Sequence, residues 1–267
     1  WQVVLEADVE ERQVSAEASF EKMRATWRAM LDSAESYDGG LRSVSGLSGG
    51  DGELMRRYAA GGAALGGGYI SEVIATALCV GESNACMRKI VAAPTAGACG
   101  VLPAVLVPLY RRGEREEDIL RALYTAAGIG AVINSRASIS GAAGGCQAEI
   151  GSASAMAAGA LAQLRGGGPE QTANALAMAL KNLMGLICDP VAGLVEVPCV
   201  KRNVIGAVNA VSCADMALAG ITSRIPADEV IDCMGIVGER LPREFREIAR
   251  GGLAATPTGR AAWKKLK

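Results

Sequence analysis

The chain has 267 residues, of which half are apolar and only 4% aromatic, and its formal net charge is −1 at pH 7. This length corresponds to one large domain or two small ones, with enough apolar residues for a sizeable core. The near-zero charge argues against nucleic acid or an anionic membrane as the main partner, because both bind basic surfaces. The 34 glycines and the alanine stretches predict closely packed helices.

Hydrophobic periodicity predicts helices along most of the chain, whereas strand signals are weak throughout. The first clear helix covers residues 15–36, where Phe20, Trp27 and Met30 share one face and charged residues occupy the other. Asp51 is a candidate cap for a short helix that ends near residue 60. Further helices are predicted at residues 69–80, 82–91, 101–112, 114–133, 147–165, 169–185, 201–219, 227–238 and 242–250.

Glycine- and proline-rich loops separate these helices. The run 188–199 cannot be one helix, because it contains Pro190, Gly193 and Pro198. The uncharged run 90–110 is long enough to cross a bilayer, but its prolines and glycines favour a buried loop followed by a helix.

No composition break demands a domain boundary, so we predict a single all-α domain. It would be a compact multi-helix domain in which residues 1–45 form an N-terminal helical extension. The polar residues 256–267 would form a mobile tail.

No histidine occurs anywhere in the chain. Histidine is the commonest general base, so an enzyme built from this chain alone would use Lys, Tyr, Cys or a carboxylate. Otherwise a second chain must supply the base. No signal peptide precedes the eight cysteines, and they are too sparse for a disulfide scaffold, which indicates a reducing cytoplasm.

The cysteines fall into two groups by local sequence. Four lie within apolar helical patterns and are predicted to be core residues: Cys79, Cys86, Cys213 and Cys233. Cys99 lies in a glycine-rich loop, and its role is open.

Cys146, Cys188 and Cys199 each lie in or at the edge of a Gly/Pro-rich loop, with gaps of 41 and 10 residues between them. Three loop cysteines without histidine suit an iron–sulfur cluster better than zinc. Neither a C-x-x-C pair nor a ferredoxin run is present, so spacing alone also allows plain core or loop cysteines.

Long motifs in the chain resemble a known family. They are APTAGACGVLPA (93–104), ASISGAAGGCQAEIGSASAMAAGAL (137–161), CDPVAGLVEVPCVKRN (188–203), MALAGITSRIPADEVID (216–232) and GLAATPTGR (252–260). They are similar to the iron–sulfur L-serine dehydratases, the L-serine ammonia-lyases that lack pyridoxal phosphate. The last two stretches are similar to the alpha subunit of the two-subunit type. The resemblance covers most of the chain from about Gly46 onward.

The resemblance implies an all-helical alpha domain that carries a 4Fe-4S cluster. Cys146, Cys188 and Cys199 would hold three irons and leave the fourth open to L-serine, whose hydroxyl it would activate as a Lewis acid. The products would be pyruvate and ammonia, in amino-acid degradation and gluconeogenesis. It also implies an oligomer with a beta subunit, absent here, that contributes polar groups including histidine.

Two glycine-rich loops carry candidate substrate-binding groups, because N–H groups before a helix can bind a carboxylate. These candidates are Thr95, Ala96, Gly97, Ser138, Ser140 and Gly144. Hydrogen bonding within a local turn is the alternative role for the two serines.

The catalytic base is expected from the beta subunit, with Lys201 as a weaker candidate in this chain. Lys201 and Arg202 otherwise read as charges at a helix start or an interface. Asp189 and Glu196 either orient the loop backbone between two ligands or face solvent.

Two departures from the family pattern stand out. Arg136 precedes the SISG motif where relatives show Asn-Asn-Ala, so it could alter the loop or sit at a subunit interface. The chain also ends Lys-Lys-Leu-Lys, without the C-terminal cysteine of single-chain members.

Three other functions stay open. A related cluster-dependent lyase or desulfidase could act on cysteine or another β-substituted amino acid. A pyridoxal phosphate lyase could use Lys89, with residues 61–68 around a phosphate. A non-catalytic cluster-binding subunit is the third.

Overall fold

Residues 1–266, which this computed structural model describes, form twelve α-helices and no β-strand. The all-α prediction is therefore confirmed. In chain order the helices are α1 (Gln2–Arg12), α2 (Ala16–Glu35), α3 (Asp51–Ala60), α4 (Gly67–Ala85), α5 (Val101–Arg111), α6 (Glu116–Arg136), α7 (Gly141–Gly144), α8 (Ser152–Leu164), α9 (Pro169–Asn182), α10 (Cys199–Leu218), α11 (Ala227–Arg240) and α12 (Pro257–Lys265).

Helix α8 lies at the centre of the molecule, packed against α6, α9 and α10. Nearly all of its residues are buried, and most are Ala, Gly or Ser. Small side chains let the neighbouring helices approach closely: a Cβ on Gly159 would come 2.2 Å from Ile129 Cδ1 of α6. The close packing expected from the composition is present here.

The amphipathic helix predicted over residues 15–36 is confirmed as α2. The Ser15 hydroxyl accepts a hydrogen bond from Ala18 N at its start. Trp27 and Met30 are buried in the main core. Helix α1, which the sequence analysis did not predict, precedes it and packs against α6.

Two helix predictions are wrong. Residues 69–80 and 82–91 do not form two helices, because α4 continues through Gly81 to Ala85. Gly81 faces Val200 of α10, so its missing side chain serves packing rather than a helix end. Residues 242–250 form only a 3₁₀ turn at Arg243–Phe245, because the backbone that follows pairs with the segment around Cys188.

Residues 134–145 are not wholly a loop, since α6 extends to Arg136 and α7 forms a single turn. The stretch after Cys146 begins with a π-helix at Gln147–Gly151 before α8. The polar tail contains α12, which the Thr256 hydroxyl caps at Gly259 N. No helix within residues 1–266 is both long and apolar enough to span a membrane.

Candidate functional site

The three candidate ligand cysteines lie in three separate segments. Cys146 follows Gly145, whose φ of +76° favours glycine, and precedes the π-helix. Cys188 pairs its backbone with residues 245–247, and Cys199 is the first residue of α10. All three side chains are buried, with relative exposures of 2%, 2% and 6%.

The structure places the thiols of Cys146 and Cys188 in contact, and Cys199 near enough to be affected by the charge on Cys146. The Cys188 thiol faces Cys146 closely enough to stabilise a Cys146 thiolate, and this contact lowers the pKa of Cys146 despite burial. The same contact, with burial, raises the pKa of Cys188. Burial and the charge on Cys146 raise the pKa of Cys199 to about 12.

No three Cys, Asp or Glu side chains in the described part of the chain converge tightly enough to hold one metal ion. Thiolates of a four-iron cluster bind separate irons, so they need not meet at one point. Three buried thiols from separate segments are compatible with that requirement. The donor set fits a cluster better than a single ion.

Arg202 links the segments that carry these cysteines. Its guanidinium donates to Ile187 O at 2.8 Å and to Asp189 Oδ1 at 2.9 Å, and it lies against Cys146. Burial lowers the pKa of Arg202, but the negative charges of Cys146 and Asp189 outweigh that effect and raise it. The helix-start position considered for Arg202 is confirmed, since it lies in the first turn of α10, but its side chain is only 12% exposed.

Asp189 and Glu196 are both buried and orient backbone and loop groups rather than facing solvent. Asp189 also accepts from Leu253 N at 2.8 Å. Glu196 accepts from the hydroxyls of Ser43 at 2.6 Å and Ser45 at 2.5 Å. These contacts attach the loop between Cys188 and Cys199 to two distant parts of the chain.

The loop with Thr95, Ala96 and Gly97 lies beside Glu149. A Cβ on Gly97 would come 3.3 Å from either carboxylate oxygen of Glu149. The Thr95 hydroxyl is close enough to lower the pKa of Glu149, yet it is buried without a hydrogen-bond partner of normal geometry. Burial is the larger effect and raises that pKa. An unpartnered buried hydroxyl is a candidate substrate contact.

Glu149 also lies near the cysteines, because a Cβ on Gly141 would come 2.7 Å from its Oε2 and 3.1 Å from Cys188 Sγ. The sequence analysis missed Glu149, although it follows Cys146 by three residues and so lies one helical turn away. It also missed Asn203, which donates to Gly97 O at 2.8 Å and Cys199 O at 2.9 Å and accepts from Gly100 N.

Ser138, Ser140 and Gly144 lie on the other loop. The Ser138 hydroxyl accepts from Ser140 N at 3.1 Å, which is the local turn bond given above as the alternative. Ser138 and Gly144 line a cavity of about 360 Å³ between α7 and α11. Arg136 lies at the same cavity and pairs with Asp232 of α11 at 2.7 Å, so it fixes the loop to a helix.

Lys201 is exposed, and its ammonium pairs with Asp51 Oδ2 of α3 at 2.9 Å. Cys79 and Cys213 are buried as predicted, and Cys99 is buried as well. Core positions are wrong for Cys86, which is half-buried, and Cys233, which is exposed.

Residues 1–254 match the family model described as serine dehydratase alpha chain. The chain is 49% identical over 265 residues to the probable L-serine dehydratase, alpha chain, of Bacillus subtilis (strain 168), which covers 99% of this chain and 88% of the relative. It is 46% identical over 203 residues to the L-serine dehydratase, alpha chain, of Peptoniphilus asaccharolyticus; this match covers 76% of this chain and 70% of the relative. It is 48% identical over 181 residues to the L-serine dehydratase TdcG of Escherichia coli (strain K12); this match covers 67% of this chain and 40% of the relative. These matches confirm the resemblance found in the motifs.

Proposed function

The chain belongs to the serine dehydratase alpha chain family, and from this premise we propose that it is the alpha chain of an L-serine dehydratase. It would convert L-serine to pyruvate and ammonia, in amino-acid degradation with pyruvate available for gluconeogenesis. The observation that carries the proposal is the set of three buried cysteines from three separate segments in a chain of this family. We place the protein in the cytoplasm, where a reducing environment would keep its cysteines available as ligands.

Cys146, Cys188 and Cys199 would hold a 4Fe-4S cluster. When bound, the cluster supplies a Lewis acid that polarises the serine hydroxyl. The Cys188 thiol and, to a lesser extent, Arg202 lower the pKa of Cys146, which favours the thiolate that a ligand must be. Asp189 holds the guanidinium in place at 2.9 Å.

The substrate would lie against the loop with Thr95, Ala96 and Gly97. The Thr95 hydroxyl could donate to a carboxylate oxygen, because it has no hydrogen-bond partner of normal geometry within residues 1–266. Asn203 holds this loop against the start of α10, and so fixes its distance from Cys199. Ser138, Ser140 and Gly144 would contribute from the second loop, where Ser138 already orders the turn.

Glu149 is a titratable group of this chain that lies beside that loop. Its carboxylate is partly buried beside Thr95 and Gly97, where it can exchange a proton with a bound substrate at Oε1 or Oε2. Because the chain has no histidine, we assign removal of the α-proton to a base from a beta chain. Lys201 does not suit this role, since it is exposed and paired with Asp51.

The first experiment is anaerobic reconstitution of the chain with iron and sulfide, followed by iron counting and spectroscopy. Wild type should bind about four irons, and L-serine should perturb the signal. Serine at any of the three cysteines should lose the cluster. Cys233→Ser and Cys99→Ala are the matched controls for an exposed and a buried thiol, and both should keep it.

Turnover of L-serine should then be compared with turnover of L-cysteine, with and without the beta chain. Preference for cysteine would indicate a related lyase. A bound cluster without any turnover in the complex would indicate a non-catalytic subunit. No cluster at all under anaerobic conditions would refute the mechanism.

A further inference from the structure

The cavity formed by α12 and the loop between Cys188 and Cys199 has no role in the proposed reaction. It has a volume of about 500 Å³, which is within the range of small-ligand sites. Buried Ala254 lies at its base, and Ala192 of the loop forms one wall. Trp263 of α12 forms another wall and is 43% exposed. The small residues leave room for a ligand between the two walls.

Three cations line this cavity: Arg250, Arg260 and Lys264. Within residues 1–266 none of them forms an ion pair with a carboxylate, and no acidic side chain lines the cavity. Arg260 and Lys264 are four residues apart on α12, so they share one face of that helix. Arg250 approaches from the preceding segment.

The positive charge is concentrated in one part of the chain. Residues 250–267 contain five Lys or Arg and no Asp or Glu, although the whole chain has a net charge of −1. Like charges gathered around a concave surface raise the local concentration of anions there. The arrangement is therefore typical of an anion site, where guanidinium groups bind phosphate or carboxylate.

We propose that this cavity binds a small multivalent anion that carries phosphate or carboxylate groups. The anion sits among Arg250, Arg260 and Lys264, with Trp263 and Ala192 as the apolar walls. None of the three cysteines lines the cavity, so the proposal does not depend on the proposed function.

The cavity shares its wall with the segment that carries two ligand cysteines. Ala192 lies between Cys188 and Cys199, and a Cβ on its neighbour Gly193 would come 3.8 Å from Trp263. An anion that holds α12 in place thus also stabilises this loop. Binding should reduce the opening of the loop and the exposure of Cys188 and Cys199.

The test is titration calorimetry of the full, cluster-free chain with pyrophosphate and with citrate, which separate a phosphate from a carboxylate ligand. We expect one saturable site per chain that weakens as salt rises. The double variant Arg260→Gln, Lys264→Gln should weaken binding about tenfold or more. Lys22→Gln, which removes an exposed cation of α2, should leave binding unchanged.

A second measurement follows thiol modification of Cys188 and Cys199. At an anion concentration of 100 times Kd, modification through loop opening should slow by up to about a hundredfold. Absence of binding by both anions, or equal binding by the double variant and the control, would overturn the proposal. The proposal would also be overturned if neither anion bound but the double variant lost affinity for the beta chain. The residues around the cavity would then form a contact with that chain.

Discussion

The guanidinium of Arg202 and the carboxylate of Asp189 form a buried ion pair, with 2.9 Å between Nη2 and Oδ1. Asp189 follows Cys188 directly, and Arg202 lies one turn into the helix that begins at Cys199. The pair therefore fixes two candidate ligands relative to each other. Arg202 also lies against the third, Cys146.

Replacement of Arg202 by Gln should lower the free energy of unfolding by about 3–5 kcal/mol, because Asp189 would remain buried without its cation. Urea denaturation of the cluster-free chain measures this. The control is Arg112→Gln, whose ion pair with Glu72 is exposed and should contribute no more than about 1 kcal/mol. Equal losses in the two variants would contradict the role assigned to Arg202.

Glu196→Ala should free the loop between Cys188 and Cys199 from residues 43–45. The hydroxyls of Ser43 and Ser45 would lose their shared acceptor, at a cost of about 1–3 kcal/mol. Hydrogen exchange should accelerate at Val191 N, which bonds Val197 O across this loop. Glu229→Ala on the exposed face of α11 is the control. Unchanged protection of Val191 N from hydrogen exchange in both variants would contradict the role of Glu196 in holding this loop.

Glu149→Gln should lower kcat by about 10²–10⁴ in the complex with the beta chain, because the amide cannot exchange a proton. The near-identical shape should leave the fold and the iron content unchanged. Steady-state kinetics with L-serine check this, with Glu21→Gln as an exposed control. Wild-type kcat in Glu149→Gln would exclude a proton-transfer role.

Gly141→Ala should disturb the contact between Glu149 and Cys188. The added Cβ would lie 2.7 Å from Glu149 Oε2 and 3.1 Å from Cys188 Sγ, so one of the two must move, at about 1–3 kcal/mol. We expect weaker iron retention during gel filtration. Gly61→Ala is the control, because the atom nearest to its added Cβ would lie at an ordinary contact distance of 3.4 Å, and it should retain iron as wild type does. Equal loss of iron in both variants would contradict a specific role for the contact at Gly141.

Removal of reconstituted iron with a chelator should abolish serine turnover and leave the helices intact. The three cysteines lie at the ends of helices or beside the bridge to Arg246, whereas α6, α8, α9 and α10 pack through their own apolar residues. Far-UV circular dichroism before and after chelation measures the helix content. A large loss of helix signal would mean that metal binding and folding are coupled.

The sequence predicted what depends on local pattern. The period of apolar residues in α2, the glycine before Cys146 and the prolines around Cys199 each act over a few residues, and their consequences are present in the structure. The family motifs supplied the three cysteines and the loop around Thr95. The spacing of these residues along the sequence does not by itself predict that they belong to one site.

What the sequence did not predict depends on contacts between distant segments. Residues 242–250 have a helical pattern, but their backbone instead bonds the segment around Cys188, with Glu247 N donating to Cys188 O at 2.8 Å. Arg202 looked like a surface charge, because nothing local indicates that Asp189 and Cys146 surround it. Asn203 and Glu149 acquire their positions in the same way.

Cys188 forms a parallel β-bridge with Arg246, and Asp189 accepts a hydrogen bond from Leu253 N. These contacts determine when, during synthesis, the segment around Cys188 can take its final structure. During synthesis the N-terminal helices emerge first and can begin to pack. The strand-like pairing that holds Cys188 has no partner until residues 245–253 have left the ribosome. The contacts around Cys188 therefore form only after residues 245–253 have been made, and a nascent chain stalled before residue 245 would carry all three cysteines without the segment that pairs with Cys188.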